Sequence, residues 1–417
     1  MSRWRLAAVA LSLLLAASLH ADPRPVIVRQ VEGATVAADA IEIRGVAAGP
    51  FDPVLWEAGK LHLLPDVRSP LLEPRDGKFR NIYAPSVVQT KSGWDAYYGG
   101  WDGVATGNDR IYRVSTSDFL TFGERRTIIE HGAFQHVCNV SVDRLPDGSL
   151  AMLCTTYPDR NGLNKPAFFA SPDGHRWNGS AAPHAVARDD LVTLDGYDGF
   201  DAADVNGMNV LLHDGGAYHM YFCNFRDGGK VFRATSAAGK RYAFAGVVLA
   251  GDALVNDVKK FRTGAAGDAW YLMGLHRNAD RLWYATSRDG KSFAPQRVLC
   301  TKLSEADAHM VSVGFVVAGE QEAAGRRVLG FLYGAGAAPS LDANRIFARW
   351  LQKRAVITIG DEQFEPKSAI GPDRQTLSLS RVATVPLELY AEDGITLIGR
   401  SIATRFKPGR AYLLTFE

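Results

Sequence analysis

The chain has 417 residues, of which 47% are apolar and 22% charged, with a formal net charge of +2. That length exceeds the usual single-core size and implies either one large repeat-built domain with appendages or two domains. The near-neutral balance gives no case for nucleic acid or an anionic membrane surface as partner, and 41 glycines with 10% aromatics lean toward a turn-rich β protein.

Ser2, Arg3, Trp4 and Arg5 make a basic start, residues 6–15 form an apolar run, and small residues follow to Ala21. This is the pattern of a secretory signal peptide over residues 1–21, with cleavage expected before Asp22-Pro23. The run falls short of a bilayer span, which disfavours a retained anchor. The expectation is an exported protein, periplasmic or extracellular, with no membrane span once the signal is removed. Its four cysteines (Cys138, Cys154, Cys223, Cys300) show no CxxC spacing, so neither a metal cage nor a redox motif is supported. Cys138 and Cys154 flank the Pro146-Asp147-Gly148 turn, and both a disulfide and two buried thiols stay open for them.

Residues 22–75 contain one alternating segment, 34–44, and then proline-punctuated sequence, which reads as an extended lead-in with a strand or two. A repeat follows. Five segments share an inner apolar strand, a Gly or Asp turn and an aromatic-rich second strand: IYAPSVV from Ile82, HVCNVSV from His136, MNVLLHDGG from Met208, VNDVKKF from Val255 and HMVSVGF from His309. A third strand follows each, and shorter fourth strands fit at 126–130, 246–249 and 297–299. Inner strands begin roughly fifty to seventy residues apart, enough for one four-stranded sheet each. Sheets repeated around an axis leave only short edges. The expected fold is therefore all-β, a five-bladed β-propeller over residues 76–365, with the 22–75 lead-in and a 366–417 β appendage at its ends. A long β-sandwich would not repeat its pattern at this period.

In a propeller the inner-strand starts converge on the axis, so the side chains there are the first place to look for chemistry. The stretch GFDAADVNG ahead of the third inner strand offers Asp201 and Asp204, the fourth inner strand offers Asp257, and the loop SEADAH offers Glu305 and Asp307. His136 and His309 occupy similar positions on the second and fifth segments. Local turn and cap roles compete with a pocket role for Asp201 and Asp204, a solvated loop for Glu305, and a satisfied structural imidazole for the histidines.

With APSV on the first segment, FDxxDV ahead of the third, NDV on the fourth and SxDGxxF/W turns after third strands, residues 76–365 resemble the five-bladed glycoside hydrolases of the arabinanase, xylosidase and invertase-like clan. The resemblance implies three axial carboxylates acting as base or nucleophile, general acid and helper, with no cofactor, although a structural calcium ion is compatible with such pockets. Hydrolysis needs one acid to protonate the leaving oxygen and an ionised carboxylate on the opposite face. Asp204 and Asp257 match the carboxylates of blades three and four, and Glu305 is taken as the third. Asp201, His136, His309, Arg80, Asn81, Trp101 and Asn139 are the expected sugar-binding residues. The sequence departs from the clan at the first blade, where Arg80-Asn81-Ile82-Tyr83-Ala84-Pro85 lacks an acid, and again at Cys138-Asn139-Val140-Ser141. That departure keeps a non-catalytic carbohydrate-binding propeller as the rival. A sialidase-like enzyme, suggested by the SPDG and SRDG turns, is the third reading.

Overall fold

The computed structural model describes residues 24–31, 40–158, 160, 162–180, 183–198, 209–224, 229–264, 267–359, 362–378, 383–385, 387–391, 394–401, 404–406 and 411–416. The architecture is all-β, with several sheets. The chain divides into two compact units, one of Ala47–Gln352 with Ser368–Asp373, the other of Met1–Val46, Lys353–Lys367 and Arg374–Glu417. In the smaller unit β1 (Arg24–Val31) runs antiparallel to Ala411–Phe416. There β2 (Ala40–Arg44) pairs parallel with that same strand and antiparallel with Arg374–Ser378.

The larger unit opens with a short helix, α1 (Pro53–Ala58). Its start is fixed by the Asp52 side chain, which accepts from the Val54 N–H at 2.8 Å, and its end by Gly59 at φ 69°. Trp56 of this helix is buried against Tyr284, whose hydroxyl donates to the Trp56 carbonyl. A short strand, β3 (Leu63–Pro65), follows, and then the five expected segments each form a sheet. Sheet one holds β4 (Phe79–Thr90), β5 (Gly93–Val104), β6 (Arg110–Thr116) and β7 (Arg126–Glu130). Sheet two holds β8 (His136–Arg144), β9 (Leu150–Tyr157) and β10 (Lys165–Ser171), after which β11 (His184–Ala185) returns to the edge of sheet one. Sheet three has β12 (Thr193–Asp195) at its edge, then β13 (Val210–Asp214), β14 (Ala217–Cys223), β15 (Val231–Ser236) and β16 (Arg241–Leu249). Sheet four is β17 (Leu254–Thr263), β18 (Asp268–His276), β19 (Arg281–Ser287) and β20 (Arg297–Thr301). Sheet five is β21 (His309–Ala318), β22 (Arg327–Gly336) and β23 (Arg345–Leu351), completed by β3 from the other end of the unit.

The first strand of each sheet packs on the first strands of two others: β4 on β8 and β21, β8 on β13, β13 on β17, and β17 on β21. The order returns to its start. At four of these five contacts a polar side chain of one strand accepts a backbone N–H of the next. Ser86 accepts from Val142 (3.0 Å), Ser141 from Leu211 (3.0 Å), Asn256 from Val313 (3.1 Å) and Ser312 from Ala84 (2.9 Å). Two carboxylates add a second tier, Asp143 accepting from His213 (2.7 Å) and Asp257 from Phe315 (2.8 Å). First strands have no sheet neighbour on their inner side, so these bonds satisfy backbone donors that burial would otherwise strand. Four of the five strands also carry a register shift at this level, between Tyr83 and Ser86, Cys138 and Ser141, Val255 and Asp257, and Met310 and Ser312. Such bulges bend a strand locally. Two of them place non-glycine residues in the left-handed region, Ala84 at φ 54° and Asn139 at φ 53°.

Outside this girdle the sheets meet through large side chains. Tyr97 meets Trp177, Phe168 meets Tyr218, Tyr221 meets Phe293 and Phe119 meets Trp350, with ring centroids 5.0–6.2 Å apart. The SxDG turns belong to these contacts. In the turn at Gly290 (φ 65°) the Ser287 hydroxyl accepts the glycine N–H, and the glycine carbonyl accepts from Tyr221 of the preceding sheet. A Cβ there would stand 2.9 Å from the tyrosine oxygen, which is why the turn needs glycine.

Candidate functional site

The leading ends of β4, β8 and β21 carry five of the residues that the sequence singles out, Arg80, Asn81, His136, Asn139 and His309. Tyr83, the last residue before the β4 bulge, is buried and belongs to the same cluster as Val210, Leu212 and Val258 of sheets three and four, with Cys138 and Val311 packed against that cluster. Its hydroxyl donates to Asp109 Oδ2 at 3.1 Å. Asp109 precedes β6 and is buried at 5% exposure. Its backbone N–H donates to His136 Nδ1 at 3.2 Å, which selects the imidazole tautomer carrying its proton on Nε2. The same Nδ1 lies 3.2 Å from Asp109 Oδ2, so protonating the imidazole would create a direct ion pair. Tyr157 stacks on the His136 ring at 6.0 Å.

One atom of this network is unsatisfied. Asp109 Oδ1 is buried and makes no hydrogen bond among the described residues. A buried carboxylate oxygen without a donor is unfavourable on its own and is suited to receive a hydroxyl or a proton from something bound. Burial, followed by the Asp109 charge, pushes both the Tyr83 hydroxyl and the Cys138 thiol well above their usual ranges. Both remain protonated at neutral pH, so Tyr83 acts as a donor and Cys138 is no thiolate nucleophile. On the fourth sheet His276 is buried with Nδ1 3.0 Å from Asn256 Oδ1, and burial pushes it down to about 4.

The other expected residues occupy varied settings. Asp257 is buried in the girdle, its Oδ2 accepting the Phe315 N–H and its Oδ1 3.0 Å from Lys259 Nζ. Past the β17 bulge it faces Gly274 as Ser312 faces Gly334 past the β21 bulge, so it sits inside the strand and not at its start. Glu305 lies in an exposed 3-10 turn, and the hydrogen bond from Lys302 (2.7 Å) holds its carboxyl below the usual range. Asp307 is a buried cap receiving the Leu303 and Ser304 N–H groups and the Tyr333 hydroxyl. His309 starts β21, and its Nδ1 is buried without a hydrogen-bond partner among the described residues. Asn81 is fully buried, its Oδ1 accepting the Asn344 N–H, and it faces the half-buried Trp101 across the sheet. Arg80 is exposed, 3.9 Å from Asp76. Asn139 forms the β8 bulge. Asp201 and Asp204 lie outside the described residues.

The chain is similar to solved glycosidases. A candidate glycosidase from Bacteroides thetaiotaomicron is 14% identical over 72% of this chain and 98% of its own, with a TM-score of 0.49. A glycosyl hydrolase from Bacteroides ovatus is 13% identical over 68% and 92%, with a TM-score of 0.48. A candidate glycoside hydrolase from Parabacteroides distasonis is 12% identical over 68% and 95%, with a TM-score of 0.49. Likenesses of this extent assign neither fold nor activity. No protein-family model matches the chain, and no curated protein does.

All four cysteines are free thiols. Among the described residues no group of three or more His, Cys, Asp or Glu side chains is arranged to hold a metal ion, and no helix is long and apolar enough to cross a membrane. Asp109 is the functional candidate that sequence reasoning missed. Its only signal was an acid just ahead of a third strand, in GNDRIYR, whereas the acids that the sequence singles out lie on first strands or in the loops just before them.

Proposed function

We propose that the five sheets are the blades of a closed five-bladed propeller and that this exported chain is a glycosidase-like protein acting on a poly- or oligosaccharide. The observation that carries the reading is Asp109, a buried carboxylate with one unsatisfied oxygen, held by Tyr83 and beside His136 at the leading ends of the inner strands. The motif resemblance calls for a first-blade acid that the β4 start lacks, and Asp109 brings one from the same sheet by way of the β5–β6 loop. In this reading Asp109 is the ionised carboxylate that activates water or attacks the sugar carbon, Tyr83 orients it, and His136 binds a sugar hydroxyl. Asp204, matched to the blade-three carboxylate by the FDxxDV resemblance, is here given the role of general acid.

The test is a glycan hydrolysis screen with the purified chain, followed by Asp109→Asn. The expected loss in kcat/KM is on the order of a hundredfold or more, with the circular dichroism spectrum unchanged. A folded variant with full turnover would remove Asp109 from the chemistry.

A second reading, a non-catalytic carbohydrate-binding propeller, draws on a specific observation. Asp257 is committed to a backbone N–H and to Lys259, and Glu305 is exposed and paired with Lys302. Asp109 is thus the one candidate carboxylate with an unsatisfied oxygen among those described, and hydrolysis needs two. Saturable binding of a glycan that is never cleaved would favour this second reading.

A further inference from the structure

At the trailing ends of the same strands lies a cleft of about 850 Å³, to which β4, β8, β13, β17 and β21 all contribute lining residues. None of the residues expected from the sequence to bind or cleave sugar lines it. Six lysine or arginine side chains and four carboxylates do. Half of these ten charges are ion-paired. Lys260 Nζ lies 2.5 Å from Asp214 and 2.7 Å from Glu322, and Arg262 holds Glu322 at 2.8 Å. Lys259 is paired with Asp257 just behind the wall.

Arg326 is the buried cation among the cleft's unpaired charges. It is 8% exposed, and among the described residues no carboxylate lies within 4 Å of its guanidinium. One nitrogen, Nη1, donates to the Lys260 carbonyl at 2.5 Å, the group lies over the Phe261 ring, and Nε is buried with no acceptor among the described residues. Burial pulls the guanidinium below its ordinary value, with Asp143, Asp257 and Glu322 supporting its charge only from a distance. Arg144, on the same cleft, donates to the Gln89 and Gly148 carbonyls and likewise has no carboxylate partner for its guanidinium among the described residues. A buried guanidinium with unmet donors is costly unless something supplies the missing acceptors. Its planar fork matches the two oxygens of a carboxylate or phosphate.

We propose that this cleft is an oxyanion-binding site, separate from the leading-end site, with Arg326 as its anchor and Arg144 at its rim. The volume is within the range of small-molecule sites, so the oxyanion group belongs either to a sugar acid or to free phosphate. The inference does not depend on glycosidase activity.

Isothermal titration of the full chain with galacturonate, galactose and inorganic phosphate tests it, alongside Arg326→Gln, Arg326→Lys and Arg144→Gln. Binding of galacturonate or phosphate, but not galactose, is expected, weakening as salt rises. Arg326→Gln should weaken it by about thirtyfold or more, and Arg326→Lys by less, because lysine keeps the charge and loses the fork. If the Arg326 variants do not fold, a weaker but measurable loss in Arg144→Gln carries the same information. Binding of galacturonate alone identifies a sugar acid, and binding of phosphate alone a free anion; each supports the site. No binding of either anion, equal binding of galactose, or unchanged affinity in every folded variant would overturn it. A chain that binds anions here yet hydrolyses no glycan would fail the proposed function and leave this site intact.

Discussion

His276 shows how a residue that looks chemical can have a purely energetic consequence. It ends β18, fully enclosed, and burial pushes it down to about 4. An unfolded histidine titrates near ~6.5. As the pH falls, the unfolded chain takes up this proton first, so stability is complete above about 6.5 and is lost progressively toward about 4. The size of the loss is on the order of 3 kcal/mol. Urea unfolding across that window should show the decline in the wild type and a flatter profile in His276→Gln. Parallel profiles would show that the imidazole is not what titrates. His276 was legible only as the end of WYLMGLH, because a sequence does not say which of ten histidines is enclosed. Asp173 and Asp289 illustrate the converse. Their SPDG and SRDG contexts suggested sialidase-like turns, and both side chains cap the backbone N–H groups of their own turns.

At the scale of elements, the inner and second strands were readable because each is a run of apolar or aromatic residues bounded by Gly-Asp turns. The fourth strands expected at 126–130, 246–249 and 297–299 are there too, as β7, β16 and β20, but that of sheet five was not readable. Sheet five takes its outer strand from β3, three residues of a proline-rich segment that read only as part of an extended lead-in. What fixes it is non-local and therefore invisible to periodicity. Asp66 is buried, accepting the Trp350 indole N–H at 2.7 Å and the Gly371 N–H at 2.9 Å while pairing with Arg68 at 2.6 Å. Asp66→Ala removes the acceptor for two buried donors and the anion beside Arg68, a loss of about 3 kcal/mol. Hydrogen exchange should locate the effect, with protection falling first at Leu63–Pro65 and the edge of Arg345–Leu351. Loss spread evenly over all five sheets would mean that β3 is not a separable fastening.

For the whole molecule, the girdle distributes stability around a cycle of first strands, and Asp257 takes part in it. The sequence put Asp257 at a strand start, where a carboxylate is awkward unless it has a ligand. A bulge one residue earlier, which no propensity reveals, instead sets it level with Ser312, facing the next strand's backbone. Asp257→Asn keeps the shape and one acceptor oxygen for Phe315, but it leaves Lys259, itself 5% exposed, without its paired anion. The expected cost is about 3–5 kcal/mol. Ser86→Ala, which removes one neutral bond at another junction, should cost about 1 kcal/mol. Because each strand is held by two neighbours, both variants should still unfold the five sheets in a single transition, shifted to lower denaturant with an unchanged m-value. Tryptophan fluorescence and far-UV circular dichroism followed together would check this. An Asp257→Asn protein as stable as the wild type but inactive on a glycan that the wild type cleaves would return this carboxylate to the chemistry. A destabilised variant that still cleaves would fix it as part of the frame.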